Sequence, residues 1–176
     1  MKKRILTAVL AAALVTGTCA ATVSAKEEKT YTIGICQLVQ HDALDAATKG
    51  FEDAITEKMG DSVKFDEQNA QGDSNTCSTI INSFVSEGAD LILANATASL
   101  QAAAAGTSDI PILGTAVTEY GVALGIDDFD GTVGGNISGT SDLAPLDEQA
   151  DMLHELFPDA KNVGLLYCSA EPNSQY

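Results

Sequence analysis

The chain has no tryptophan, only 5% aromatic residues and a single arginine, Arg4. Its 176 residues carry 9 Lys+Arg against 25 Asp+Glu, a formal net charge of -16. So acidic a chain repels phosphate backbones, which argues against a nucleic-acid partner. With no arginine beyond Arg4, a bound anion must be held by lysine, neutral donors or backbone amides. The motifs of common chemistries are missing as well. There is no G-x-S-x-G elbow, no H-E-x-x-H and no P-loop. Gly131-Thr132-Val133-Gly134-Gly135 does not match a dinucleotide fingerprint and does not follow the first strand. Asp127, Asp128 and Asp130 crowd a turn but lack the later Glu and flanking helices of an EF-hand, so a solvated acidic turn is expected. No cofactor and no metal are implied.

What is present begins with an address. Lys2, Lys3 and Arg4 precede the apolar run Ile5 to Val15, followed by small residues and Val23-Ser24-Ala25. This is the order of a signal peptide, with cleavage expected after Ala25, and the run is too short to span a bilayer as a helix. Cys19 follows Thr16-Gly17-Thr18, a poor lipoprotein match, which leaves lipid anchoring at Cys19 as the alternative. Cys36, Cys77 and Cys168 remain downstream. An odd number leaves at least one free thiol unless chains pair, their spacing fits no zinc motif, and buried free cysteine is the simplest expectation.

After residues 26–30, strands and helices alternate. Tyr31 to Cys36 reads as a strand, and Leu44, Ala47, Phe51, Ala54 and Ile55 recur at helical spacing after Asp42, an expected N-cap, with Gly60 as the stop. Ser62 to Glu67 alternates like a second strand. Asp73 or Ser74 opens a helix whose stripe is Cys77, Ile80, Ile81, Phe84 and Val85, closed by Gly88. Leu91 to Ala94 is an apolar run suited to a strand covered on both faces. Ala98 to Ala105 reads as a short helix, and Ile110 to Leu113 begins a fourth strand. The pattern loosens from Val117 to Asp142, and then Leu146, Ala150, Leu153 and Phe157 trace another helix, with a strand expected over Asn162 to Cys168. This alternation predicts an α/β fold: a doubly wound parallel sheet, Rossmann-like, with helices on both faces.

In such sheets ligands bind beyond the carboxyl ends of the strands. The segments expected there are Gln37 to His41, Asn95 to Ser99, Thr115 to Tyr120 and Ser169 to Ser174. Thr97 is an expected N-cap with Ser99 in the first turn, and a helix N-terminus binds a carboxylate without arginine. Capping alone would equally account for both residues. His41 has no motif-borne nucleophile beside it, and His154 sits among Leu153 and Leu156. Asp142 and Glu171, near loop ends, could receive an ammonium group, or be solvated surface acids.

Gly34-Ile35-Cys36-Gln37 followed by His41-Asp42-Ala43-Leu44-Asp45-Ala46-Ala47 resembles the opening of the TrpX-like family of ABC-transporter substrate-binding proteins. So do Asn69 to Asp73, Asp90 to Ala94 with Ala96-Thr97, and Ile110-Pro111-Ile112. The likeness continues through Ala116-Val117-Thr118, Asn136 to Gly139, Ser141-Asp142, Leu166-Tyr167-Cys168 and Glu171-Pro172-Asn173-Ser174. Glu119 stands where the family usually has Asp, and Ile137-Ser138-Gly139 where it often has Val-Thr-Gly.

The resemblance implies a type I periplasmic binding fold. Residues 31–139 would be the first lobe, 140–142 the hinge, and 143–176 the start of a second lobe that continues past this end. It implies a binding protein rather than an enzyme, secreted to the periplasm or cell surface. Such a protein captures a small molecule, an amino acid such as tryptophan or another aromatic, and delivers it to ABC permease subunits. The ligand residues expected are Gln37, His41, Ala96, Thr97, Ser99, Thr118, Asp142, Glu171, Asn173 and Ser174. Two alternatives are a sugar- or nucleoside-binding relative on the same fold, for which stacking aromatics are scarce, and a small secreted hydrolase using Ser or Cys with His41.

Overall fold

The computed structural model describes residues 29–169 and 172–175. The expected signal segment, Cys19 and Glu171 lie outside the described residues. Five strands, β1 (Tyr31–Gln37), β2 (Val63–Asn69), β3 (Leu91–Asn95), β4 (Ile112–Val117) and β5 (Ile137–Ser141), form one parallel sheet in the order β2-β1-β3-β4-β5. The helices are α1 (Asp42–Met59), α2 (Ser74–Glu87), α3 (Thr97–Gly106), α4 (Tyr120–Leu124) and α5 (Leu146–Leu156). Alternation along the strands divides the core. Ile33, Ile35 and Leu93 point to the face covered by α1, where Phe51 meets Phe65 edge-on at 6.4 Å. Cys36, Ile92, Ala94 and Ile112 point to the other face, under α2, α3 and α4. This is the doubly wound arrangement expected from the sequence.

The helix ends follow from local chemistry. His41, not Asp42, caps α1: its backbone is extended, and its Nδ1 accepts the Ala43 N–H at 3.2 Å. Asp42 instead lies in the first turn with Asp45, where a negative charge favours the helix dipole. Asp73 caps α2 by accepting the Thr76 N–H at 2.6 Å, and Gly88 ends it in the left-handed region at φ 74°. At the base of the sheet, Asp90 accepts the Thr32 N–H at 2.9 Å and pairs with Lys29 at 3.0 Å.

These bonds hold two carboxyls below their ordinary range: Asp73 through the Thr76 backbone, Asp90 through the Thr32 backbone and then Lys29. A depressed carboxyl adds stability that is complete above its unfolded pKa, about 3.9, and fades as pH falls through the lower folded value. The melting temperature is therefore expected to fall on acidification below about pH 4. A variant carrying Asp73→Asn and Asp90→Asn should show a shallower fall. Equal slopes by thermal scans from pH 2 to 6 would refute this.

Three segments differ from expectation. β5 was not apparent as a strand. It pairs with β4 from Ile112↔Ile137, shifts register between Gly114 and Val117, and ends at Val117↔Ser141. The tight placement of Gly114 and Gly139 against Tyr120 permits this pairing: a side chain at either glycine would collide with the tyrosine hydroxyl, which donates to the Thr140 carbonyl at 3.2 Å. The short helix α4 was also unforeseen. Glu119 caps it, with its carboxylate accepting the Gly121 and Val122 N–H groups. Conversely, Asn162 to Cys168 forms no strand, and Leu166 is 103% exposed. A strand needs a neighbour for its backbone groups, and none adjoins this segment among the described residues.

Candidate functional site

The carboxyl ends of β1, β3 and β4 meet in a compact polar edge. Its foundation is a buried network that the sequence reading did not single out. Asn95, at the end of β3, is 0% exposed. Its Nδ2 donates to the Leu44 carbonyl and to Thr48 Oγ1, each at 2.9 Å, and more weakly to Gln37 Oε1 at 3.4 Å. Thr48 donates to Gln37 Oε1 at 2.7 Å, while Gln37 Nε2 donates to Asp45 at 2.6 Å and to the Val39 carbonyl at 3.0 Å. Together these bonds tie the loop after β1 and the first turns of α1 to β3. Asn95 Oδ1 is buried and has no partner. A polar residue ending the apolar run Leu91 to Ala94 is the signal that could have found it.

Above the network, the backbone is held in rare conformations. Ala96 has φ 90° and Ala116 φ 52°, and the two segments are joined where the Ala96 N–H donates to the Thr115 carbonyl at 3.0 Å. Non-glycine residues in such regions cost roughly 1–3 kcal/mol each and cluster at ligand-holding sites. The twist at Ala96 starts α3. Ala96, not Thr97, occupies the N-cap position, and no side chain caps the helix. The first-turn amides of Thr97, Ala98 and Ser99 thus have no preceding helix carbonyl to bond, and none has a backbone partner among the described residues.

The expected ligand residues that the structure describes fall into four groups. Thr97 and Asn173 come together: Thr97 is buried, and its hydroxyl donates to Asn173 Oδ1 at 3.2 Å. Ala96 adjoins them. Ser174 is close in sequence and turns its hydroxyl to the Cys168 carbonyl at 2.9 Å. His41 is exposed, with Nδ1 engaged as a cap. Thr118 accepts the Ser141 hydroxyl through its carbonyl at 2.7 Å, and exposed Asp142 joins the same crossing by donating its N–H to the Val117 carbonyl at 3.0 Å. Two side chains are turned away from the edge. Gln37 is 2% exposed, with both ends of its amide used internally, so it shapes the loop from beneath. The Ser99 hydroxyl is fully buried between the sulfurs of Cys36 and Cys77 at 3.5 and 3.6 Å, which leaves only its backbone N–H for a ligand. A separate groove of about 420 Å³ on the α1 face, lined by Phe51, Leu93, Leu113 and Thr115 among others, includes none of the residues expected to bind.

Chemically, this edge offers main-chain N–H donors, hydroxyls and an amide in an arginine-free setting. The chain belongs to the ABC transporter substrate binding protein family, whose sequence profile matches residues 32–176. It is 45% identical over 151 residues, 84% of this chain and 44% of the relative, to a tyrosine-binding protein from Clostridioides difficile. Among solved structures, it is similar to an ABC domain in complex with L-Trp from Streptococcus pneumoniae. The TM-score is 0.76 with 34% identity, over 84% of this chain and 50% of that one. It is also similar to a ligand-free, open substrate-binding protein with adhesive properties from Clostridium difficile. That TM-score is 0.68 with 42% identity, over 83% of this chain and 50% of the other. The chain thus spans about half the length of these relatives. They are substrate-binding proteins, not enzymes.

Proposed function

We propose that this chain supplies one side of a cleft that captures an aromatic amino acid, tyrosine or tryptophan, for delivery to the permease of an ABC importer. The carrying observation is the uncapped start of α3, where Thr97 meets Asn173 at the sheet edge. The relatives that bind tyrosine and contain L-Trp support the ligand class. In this reading the carboxylate is held by the amides of Thr97, Ala98 and Ser99 with the hydroxyls of Thr97 and Thr118. Asp142 or Glu171 receives the ammonium, and His41, Ala96, Asn173 and Ser174 border the side chain. Gln37 positions the loop that carries His41. Residues 140–142 act as the hinge between residues 31–139 and the second lobe begun by 143–176. Closure follows from higher ligand affinity for the closed state.

The N-terminal address places the protein outside the cytoplasm, by cleavage after Ala25 or by a lipid at Cys19. The test is calorimetry with L-tyrosine and L-tryptophan on the full-length protein that contains this chain. One charge-assisted hydrogen bond contributes about 1.5–3 kcal/mol, so Thr97→Val should weaken binding roughly ten- to a hundredfold. An unchanged dissociation constant removes Thr97 from the site, and absence of binding by the parent to either amino acid overturns the ligand class.

A further inference from the structure

Directly beneath the first turn of α3 lie two thiols that the cleft does not use. Cys36 on β1 and Cys77 on α2 are fully buried and free. Their sulfurs converge on one hydroxyl: Cys36 donates to Ser99 Oγ at 3.5 Å, and Cys77 lies 3.6 Å from the same oxygen. Two buried thiols that share one hydroxyl, drawn from a strand and the helix packed on it, are a different object from a lone buried cysteine. We propose that Cys36 and Cys77 are a redox pair, converted by a small disulfide oxidant into an intramolecular disulfide that staples β1 to α2 under the ligand-facing start of α3.

The two sulfurs are not equivalent. The neighbouring Cys77 sulfur and burial both push the pKa of Cys36 up. Cys77 sits in the first turns of α2 beside exposed Ser74 and Asn75, and the neighbouring Cys36 thiol pulls its pKa down. Cys77 is therefore the attacking sulfur. Its thiolate displaces one thiolate from the oxidant and forms a mixed disulfide. Cys36 then gives up its proton, attacks the Cys77 sulfur and expels the second small thiolate. Two protein thiols are oxidised, and one small disulfide is reduced to two thiols. Burial confines the exchange to folding or to opening of the first turns of α2, whose Ser74 and Asn75 are exposed. A location outside the cytoplasm, as proposed above, supplies such oxidants, but the chemistry can be tested independently of that reading.

The test uses the full-length protein that contains this chain, with every cysteine except Cys36 and Cys77 replaced by serine, so that only the pair remains. The protein is refolded from denaturant in oxidised or reduced glutathione, then denatured, alkylated with a maleimide and mapped by mass spectrometry. The expected result in oxidised glutathione is loss of two hydrogens, no alkylation, and one cross-linked peptide joining Cys36 to Cys77. The closed loop should raise the melting temperature by roughly 5–15 °C, reversibly with dithiothreitol. Cys36→Ser should abolish both effects. Two alkylated thiols after oxidative refolding, glutathione adducts alone, intermolecular dimers, or a melting temperature lowered by the cross-link would each overturn the proposal.

Discussion

Phe84→Ala is expected to remove roughly 3–5 kcal/mol of folding stability, the range for truncating a large buried aromatic. A domain of this kind has about 5–15 kcal/mol in total, so the variant should be marginal or unfolded at 37 °C. Phe84 is 1% exposed and fixes α2 against the middle of the sheet. Its ring lies directly on Gly34 of β1, where an added Cβ would stand 2.5–2.9 Å from the ring carbons. The missing side chain on the strand is what lets helix and sheet close. Gly34→Ala in the parent should therefore overpack the contact and cost about 1–3 kcal/mol. In the Phe84→Ala background the same methyl group enters the vacated space and should be neutral or stabilising. Such a change of sign is the signature of direct coupling between neighbours. Urea unfolding of the four members of the cycle reads it, and additive losses would show that the two residues do not share this contact.

The residues whose behaviour is set locally were legible in the sequence. Of the expected stripe, Cys77, Ile80, Ile81 and Phe84 are buried as their spacing demands while Val85, at its edge, is exposed, and Gly60 and Gly88 end their helices because a positive φ is needed there. Glu119 was noted only as a departure from the family pattern, yet in the structure it caps α4. What depended on neighbours was hidden. β5 has one apolar residue, Ile137, and a glycine at its centre; its strand character comes from β4 and from Tyr120 filling the space over Gly139. Asn162 to Cys168 shows the converse, a good alternating pattern with no strand to join. At the site, position was readable and orientation was not. Ser99 does lie in the first turn of α3, but at that position its side chain points to the core, toward two thiols distant in sequence. Gln37 stands at the end of β1 as expected, but strand alternation sends it toward Thr48 and α1. Thr97 and Asn173, expected at different parts of the site, meet through a hydrogen bond of 3.2 Å that their sequence positions do not disclose.

Asn95→Asp changes one NH2 to an oxygen at almost constant shape, and its expected cost at pH 7 is roughly 3–5 kcal/mol, that of an unpaired buried charge. The Asn95 amide donates to the Leu44 carbonyl and to Thr48. In the variant an oxygen would face the Leu44 carbonyl at the same distance, with no cation in this network among the described residues and the Asp45 carboxylate held in it by Gln37. Burial must raise the introduced acid's folded pKa above the unfolded value of about 3.9. The neutral acid is then favoured in the native state, so the deficit is full above the raised pKa and shrinks as pH falls toward about 4. Asn95→Leu separates charge from lost donors: it strands the Leu44 carbonyl and part of the Thr48–Gln37 pair at about 1–3 kcal/mol, with no comparable pH dependence. The two variants should therefore differ most at neutral pH and converge in acid. Denaturant midpoints at pH 7 and pH 4.5 test this, and a pH-independent gap between them would mean that the carboxylate had escaped to solvent. The same network carries the loop bearing His41 and precedes the strained turn at Ala96. A loss at Asn95 should therefore weaken ligand binding in the full-length protein although its side chain is buried away from the cleft, which distinguishes a site built on a rigid polar foundation from one assembled only by the residues that touch the ligand.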